Sequence, residues 1–173
     1  ELPQTNDTIQ NFGGRLCGPE ETVNIETALI ESCNIPFAEL GLALGEGTIG
    51  SMADDFGFEA TLEIPMRVTP SRYPRGMDQA QLMLSSFGQF DVRVTPLQVA
   101  MMSAAIANGG QLMTPRLVDT VLSDDLRVLQ ESEPSVYSTP LSGRTARELE
   151  RILIEGVDQG VASRAGIPGI SVA

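Results

Sequence analysis

The chain has 173 residues, enough for one globular domain with a buried core. Its net charge of −12 argues against binding to nucleic acid or to an anionic membrane surface. All 11 basic residues are Arg, and the absence of His and Lys removes the commonest general bases and the commonest metal ligand. Any chemistry here must use hydroxyls, amides, carboxylates or Arg, or a base from outside the chain.

The longest apolar runs fall well short of the ~20 residues that a membrane helix needs. The sequence opens on Glu1-Leu2-Pro3, without Met and without a basic stretch, so no signal peptide is expected. We therefore expect a piece of a longer protein or a processed product.

Residues 1–20 are rich in Asn, Thr, Gly and Pro, which predicts irregular or hairpin structure with a turn at residues 11–14. Asn24 has the side chain of a helix cap, and a short helix is predicted from there to near Ser32. Its buried face is predicted to carry Ile25, Leu29 and Ile30.

A second helix is predicted to begin with Asn34 in the cap position, because Pro36 then falls in the first turn, where its missing N–H group costs nothing. The helix should end just before Gly45, a residue that suits a helix C-terminus. A further amphipathic helix is predicted over residues 48–56, ended by Gly57.

Residues 59–76 contain three prolines and no clear period, which predicts a loop with extended pieces. A helix is predicted from Asp78 to about Ser85. Thr95 and Pro96 then begin the longest apolar helix, which the Asn-Gly-Gly triplet at residues 108–110 should end.

The segments "RLVDTVLS" and "LRVLQES" are predicted to pair as strands about a turn at Asp124-Asp125. Ser142 should cap a last long helix, and the final residues 169–173, "GISVA", begin like a strand. The inward face of that helix is predicted to hold Leu149, Ile152 and Leu153.

The two cysteines, Cys17 and Cys33, could form one disulfide, but their spacing does not show that they meet. We expect both to be free, and the spacing fits neither a zinc site nor a redox pair. The acidic pairs 54–55 and 124–125 are expected to be solvated, as are Arg72 and Arg75, although these two could contact a carboxylate or another domain. Core filling is the expected role of Met101, Met102 and Met113.

Ser32, Cys33 and Asn34 form a polar break between two apolar, helix-like runs. One interpretation is structural, because Asn before a Pro-containing helix is a common N-cap and the cap could also come from Ser32. The other is catalytic, because a hydroxyl both donates and accepts and a carboxamide offers two donors and an acceptor. An irregular turn could direct Ser32 and Asn34 into one cleft while Cys33 points elsewhere.

Three stretches of the sequence resemble segments of one known protein family, and this resemblance favours the catalytic interpretation. "FGQFDVRVTPLQVAMMSAAIANGGQLMTPRLV" (residues 87–118) resembles the segment after the second active-site motif of bacterial class B penicillin-binding proteins. "TALIESCNIPFAELG" (residues 27–41) resembles their S-x-N motif, and "GVASRAGIPGISVA" (residues 160–173) resembles the approach to their K-T-G motif. The actinobacterial penicillin-binding protein A group is the most similar in character.

The family's S-x-x-K and K-T-G motifs cannot occur in a chain without Lys. We therefore expect residues 1–173 to be the central part of one transpeptidase domain, incomplete at both ends. The implied fold is α+β, the penicillin-recognising serine transferase fold shared with β-lactamases. This chain would supply most of its helical lobe and one or two strands of its antiparallel sheet.

The resemblance implies a peptidoglycan D,D-transpeptidase, in which a D-Ala-D-Ala stem peptide acylates the Ser of S-x-x-K and an amine then resolves the ester into a cross-link. Ser32 would carry a proton between the lysine–nucleophile pair and the leaving nitrogen. Asn34 would hold the lysine and bind the amide carbonyl of the substrate. No metal or organic cofactor is implied.

The implied partners are peptidoglycan stem peptides, β-lactam antibiotics bound through a Ser outside this chain, the remaining segments of the protein, and a membrane glycosyltransferase of the division or elongation machinery. The expected location is the outer face of the bacterial cell membrane, with an N-terminal anchor absent from this chain. One alternative is a non-catalytic relative that binds β-lactam or peptide, or serves as a scaffold in a division or elongation complex. A weaker alternative is an independent acidic binding domain.

Overall fold

The computed structural model describes residues 1–19, 22–62, 64 and 66–173. Over these residues the chain forms five α-helices and four short β-strands. The helices are α1 (Ile25–Ile30), α2 (Asn34–Asp55), α3 (Gln79–Ser85), α4 (Pro96–Ala107) and α5 (Gly143–Asp158). The strands are β1 (Leu112–Met113), β2 (Thr120–Leu122), β3 (Val128–Glu131) and β4 (Val136–Ser138). None of the helices in this described part is long and apolar enough to cross a membrane.

Four helices begin at side-chain caps that the local sequence predicts. The Asn24 side chain accepts a hydrogen bond from a backbone N–H group in the first turn of α1 at 2.8 Å. Thr95 and Ser142 do the same for α4 and α5, and Asp78 forms a capping box at the start of α3. Each cap replaces an acceptor that the first turn of a helix lacks, so these starts are determined locally.

The two helices predicted on either side of Gly45 are confirmed: both lie within α2, which this glycine interrupts. Gly45 has φ +79° and ψ 157°, a conformation that a residue without a Cβ atom adopts at low cost. The end of the helix predicted over residues 48–56 is confirmed, because α2 stops at Asp55 and Gly57 has φ +84°.

The irregular segments are also as predicted. Residues 1–19 contain one short 3₁₀ turn, at Phe12–Gly14, and Glu20 lies outside the described residues. The described part of residues 59–76 forms only isolated bridges. Glu63 and Pro65 of that predicted loop lie outside the described residues.

The strands form two small antiparallel pairs, β1 with β4 and β2 with β3. The pairing of β2 with β3 confirms the predicted hairpin. The prediction of a strand over residues 169–173 is wrong, because the end of the chain makes only a single bridge, between Ile167 and Ile170. A strand needs a neighbour for its N–H and C=O groups, and within the described residues none lies beside this segment.

The main core lies where the end of α2 meets α4 and β1. Gln98 of α4 is buried there, and its Nε2 group donates a hydrogen bond to the Phe56 carbonyl oxygen at 2.6 Å. Met101 is buried in this core and Met102 packs against it, as predicted, whereas Met113 is half-buried on β1. The buried residues of the cluster are Ala53, Phe56, Phe58, Leu62, Tyr73, Met101, Ala105 and Leu112.

Helix α1 packs against the C-terminal end of α5, and this contact positions the residues that follow α1. The face of α1 that is fully buried carries Ala28. The prediction that Ile25 is buried is wrong: it is the first residue of a six-residue helix and is 52% exposed. Leu29 and Ile30 are half-buried, as is Leu149 on α5, where Ile152 is fully buried.

The expectation that Arg72 and Arg75 are merely solvated is wrong. Arg72 pairs with Asp91 at 3.3 Å, and Arg75 pairs with Asp54 at 2.5 Å while also binding the Gly50 carbonyl oxygen at 3.1 Å. The loop that carries both arginines folds back over α2, so tertiary structure brings them to acids that are distant in sequence. These side chains remain largely exposed, so each pair contributes little to stability.

Candidate functional site

Residues 32–34, hereafter the S-x-N corner, join the end of α1 to the start of α2. The N–H group of Ser32 donates to the Leu29 carbonyl oxygen at 3.1 Å, and that of Cys33 donates to the Ala28 carbonyl oxygen at 2.9 Å. This pair of bonds is a Schellman motif, which requires a left-handed residue at the position of Ser32. Glycine usually occupies that position, but here Ser32 has φ +51°.

The Ser32 side chain is exposed, and its hydroxyl makes no hydrogen bond with the described residues. It lines a cavity of about 310 Å³, hereafter the Ser32 cavity, between α1, the end of α5 and the end of the chain. The described lining of this cavity carries no ionisable side chain. The hydroxyl is therefore free to exchange a proton, but the base that drives such an exchange must come from elsewhere.

Asn34 is the first residue of α2, and the prediction that it caps the helix is wrong. The cap residue is Cys33, which gives no side-chain bond, and the acceptor for the first turn comes from Asn11. Asn11 Oδ1 accepts from the N–H groups of Asn34 at 2.9 Å and of Ile35 at 3.1 Å. Neither polar residue of the triplet therefore acts as the helix cap.

Asn34 is half-buried as a residue, and its Nδ2 group donates to the Gln10 carbonyl oxygen at 2.8 Å in a bond that is open to solvent. A carbonyl oxygen only accepts, so this bond determines which end of the amide is nitrogen and which is oxygen. The second Nδ2 hydrogen and Oδ1 bind none of the other described residues. Asn34 thus keeps one donor and one acceptor for other groups.

Cys33 is bonded to Cys17, and the expectation that both cysteines are free is wrong. Their Cα atoms lie 5.7 Å apart, and Cys33 is 3% exposed. The irregular segment 1–19 folds over the start of α2 and brings the two residues together, which a spacing of 16 residues does not reveal. Cys33 therefore points away from both polar neighbours.

Among the described residues, Ser32 and Asn34 line different cavities rather than the one cleft into which the turn could direct both. Asn34 lines a second cavity of about 390 Å³, hereafter the Asn34 cavity, on another side of the corner. Its lining includes Phe87, Gln89 and Phe90 of the "FGQF" stretch. The Ser32 cavity in turn is lined by Val161, Ala162, Ala165, Val172 and Ala173 of the final stretch. The structure thus brings all three sequence landmarks to the S-x-N corner.

Ion pairs hold α1 on α5 without entering either cavity. Arg151 of α5 binds Glu26 of α1 at 2.7 Å, and Glu148 and Glu155 on its own helix at 2.8 and 3.2 Å. The bond to Arg151 lowers the pKa of Glu148, and the same pairing raises the pKa of Arg151 above its ordinary value. These side chains are partly exposed and line neither cavity, so they provide no catalytic base there.

The acidic pairs give no alternative site. Asp55 and Asp124 are exposed, as expected, whereas Asp54 and Asp125 are exposed but pair with arginines. A hydrogen bond from the Ser123 hydroxyl is the main cause of a lowered pKa of Asp125, and a bond from Arg127 is a further cause. Such local hydrogen bonds are typical of a turn. Among the described residues, no group of three or more His, Cys, Asp or Glu side chains could hold a metal ion.

Comparison with known proteins assigns the family. A family model described as the penicillin binding protein transpeptidase domain matches residues 2–173. The chain belongs to this family. Peptidoglycan D,D-transpeptidase PbpA of Mycolicibacterium smegmatis is 36% identical over 173 residues, which are 99% of this chain and 35% of that protein. The protein of the same name from Mycobacterium tuberculosis is 34% identical, with the same coverage.

Solved structures of the transpeptidase family agree with the fold. The imipenem acyl-enzyme complex of penicillin-binding protein A from M. tuberculosis superposes with a TM-score of 0.93 at 32% identity, over 99% of this chain and 39% of that one. The D,D-transpeptidase domain of a peptidoglycan glycosyltransferase from Eggerthella lenta gives 0.86 at 28% identity, over 97% of this chain and 44% of that one. The helices and small antiparallel sheets therefore belong to the penicillin-recognising serine transferase fold. The chain spans about a third of the length of the curated relatives.

Proposed function

We propose that this chain works within a peptidoglycan D,D-transpeptidase and supplies its S-x-N element, with Ser32 and Asn34 as the functional side chains. One observation carries the proposal: the S-x-N corner, the "FGQF" stretch and the final stretch lie around one point of the fold. At that point Ser32 keeps a left-handed backbone that glycine would adopt at lower cost. Retention of a hydroxyl in this conformation supports a chemical role for it.

The reaction is acyl transfer through a Ser of an S-x-x-K motif that these 173 residues do not contain. The hydroxyl of that Ser attacks the carbonyl of the penultimate D-Ala, while the neighbouring Lys takes its proton. The C–N bond to the terminal D-Ala then breaks, and the leaving nitrogen receives a proton. An amine on a neighbouring peptidoglycan strand attacks the resulting ester, forms the cross-link and returns the Ser to its free state. β-Lactams acylate the same Ser by opening their ring.

Ser32 acts as the proton relay in this scheme. Its hydroxyl can accept the proton from the lysine–nucleophile pair and donate its own to the leaving nitrogen. The described lining of the Ser32 cavity is apolar apart from this hydroxyl and backbone groups, so no charge among these residues competes for the proton. The relay therefore needs only two partners: the lysine as proton donor and the leaving nitrogen of the substrate as proton acceptor.

Asn34 acts as a binding and orienting group. Because one Nδ2 hydrogen is held by the Gln10 carbonyl oxygen, the other is left for the amide carbonyl of the substrate. Oδ1 is left to accept from the lysine ammonium group. The orientation of the carboxamide is set before the substrate arrives, which lowers the cost of binding it.

The site faces the outside of the cell membrane, and an N-terminal segment not present among these residues anchors it. The Cys17–Cys33 disulfide supports this location, because disulfides persist in oxidising compartments. Its partners there are the stem peptide, β-lactams and a membrane glycosyltransferase of the division or elongation machinery.

Labelling of the full-length protein with a fluorescent penicillin tests the proposal. The wild type should be labelled, and Ser32→Ala should slow acylation by roughly 10²–10⁴-fold, the range for a lost proton-transfer group. Ser51→Ala is the matched control, because Ser51 is exposed on α2 and away from the S-x-N corner. A wild type that takes up no label would contradict the proposal and favour a non-catalytic relative.

A further inference from the structure

Residues 10–17, hereafter the strap, contact the S-x-N corner at both of their ends. At one end, the Gln10 carbonyl oxygen accepts from Asn34 Nδ2 and the Asn11 side chain accepts from the first backbone N–H groups of α2. At the other end, Cys17 is bonded to Cys33. The strap thus holds two of the three residues of the corner.

The strap has little packing of its own to hold it. Phe12 and Leu16 are each 85% exposed, and residues 13–15 are exposed as well. Within the strap, Asn11 Nδ2 donates to the Arg15 carbonyl oxygen at 3.1 Å and closes the turn. Because apolar burial does not fix the strap, its position relative to the corner depends on these hydrogen bonds and on the disulfide.

Asn11 makes the bonds that fix the start of α2. A helix leaves its first N–H groups without partners, and a residue at the cap position normally supplies the acceptor. Here the cap residue is Cys33, whose side chain is committed to the disulfide. Asn11 supplies the missing acceptor from 23 residues upstream.

We propose that Asn11 is a positioning residue for the acylation reaction, acting through Asn34; this inference rests on the proposed function. Asn11 fixes the backbone of Asn34 while Gln10 fixes its carboxamide, so the two bonds together set the donor and the acceptor that Asn34 offers. Without Asn11 the first turn of α2 loosens, and the carboxamide shifts relative to the nucleophile. A shift of about 1 Å in a positioned group can cost up to roughly 100-fold in rate.

The test compares three variants of the full-length protein. Asn11→Ala removes both the acceptor for α2 and the Nδ2 donor to Arg15, whereas Asn11→Asp lacks that donor but keeps an oxygen that accepts from both N–H groups. Ser142→Ala removes a comparable cap at the start of α5, the end of that helix remote from α1. For each variant, stopped-flow kinetics with penicillin separate the dissociation constant of the initial complex from the acylation rate, and thermal melting reports stability.

Asn11→Ala should lower the acylation rate by roughly 10- to 100-fold with a smaller change in the dissociation constant. Asn11→Asp should restore part of the rate, because its carboxylate accepts from both N–H groups but cannot donate to the Arg15 carbonyl oxygen. Ser142→Ala should lower the melting temperature by a similar amount to Asn11→Ala but leave the rate unchanged. The inference is overturned if Asn11→Ala acylates as fast as the wild type, if Asp restores nothing, or if Ser142→Ala loses rate equally.

Hydrogen exchange at the amides of Asn34 and Ile35 separates this inference from the proposed function. Asn11→Ala should exchange faster at these two amides than the wild type, whatever the activity. An unlabelled wild type would overturn the proposed function and with it the catalytic role of Asn11. If the wild type acylates but Asn11→Ala shows unchanged exchange at these two amides, the inference alone is overturned.

Discussion

Replacement of Ser32 by Gly should separate the chemical role of this residue from its structural role. Ser32 has φ +51°, a conformation that costs a residue with a Cβ atom about 1–2 kcal/mol. Glycine avoids this cost but loses about 0.5–1 kcal/mol through the greater freedom of its unfolded chain. The free energy of unfolding should therefore rise by between about zero and 1.5 kcal/mol.

The same substitution should damage the reaction, because it removes the hydroxyl. Acylation by penicillin should slow by roughly 10²–10⁴-fold in Ser32→Gly. Ser32→Ala is the matched variant: it also lacks the hydroxyl but keeps the Cβ atom, and so it keeps the backbone cost. The two variants should lose acylation equally, and Ser32→Gly should be the more stable of the two.

Urea unfolding and fluorescent-penicillin kinetics on the full-length protein measure the two effects. Acylation of both variants at the wild-type rate would show that the Ser32 hydroxyl has no chemical role. A lower stability of Ser32→Gly than of Ser32→Ala would show that the left-handed backbone carries no cost.

One further pair of substitutions tests the packing beside the S-x-N corner, and a third substitution tests a hydrogen-bonded carboxyl on α2. Gly160→Ala places a Cβ atom against the Ile30 carbonyl oxygen and should destabilise the protein by about 1–3 kcal/mol, as measured by urea unfolding. Gly47 on α2 has open space around it, so Gly47→Ala should stabilise the protein by about 0.5–1 kcal/mol. Equal effects of the two substitutions would show that α1 does not pack closely on the end of α5. Glu46 accepts from the N–H groups of residues 76 and 77, which lowers the pKa of its carboxyl below its ordinary 4.5. A carboxyl group whose pKa is lower in the folded state stabilises the fold at pH values above its ordinary pKa. That stabilisation is lost as the pH falls through the pKa of the folded state. Glu46→Gln should therefore be less stable than the wild type at pH 7, and the difference should shrink below pH 4.5 in a pH series of melting temperatures; a difference independent of pH would contradict this.

The parts of the fold that could be predicted from sequence are those determined within a few residues. Asn24, Asp78, Thr95 and Ser142 begin helices because each side chain bonds to an amide three residues on. Gly45 was expected to end a helix, and it does interrupt the helical geometry. The helical pieces on either side of it are the two helices that the sequence predicts.

The features of the site that sequence did not predict are all long-range or conformationally unusual. Asn11 caps a helix 23 residues away, and nothing in the "NFGG" turn indicates this. The Cys17–Cys33 bond depends on the path of an irregular segment. Ser32 adopts a left-handed backbone where a sequence signal would require Gly or Asn. The resemblance could assign roles to Ser32 and Asn34, but it gave no account of what holds them.

Release of D-alanine from a D-Ala-D-Ala stem peptide measures the proposed reaction itself. The full-length protein, with an acceptor amine present, should release D-alanine and form the cross-linked peptide. Ser32→Ala should reduce this rate by roughly 10²–10⁴-fold while Ser51→Ala leaves it unchanged. D-alanine release by Ser32→Ala at the wild-type rate would contradict the claim that this chain supplies the proton relay of a transpeptidase.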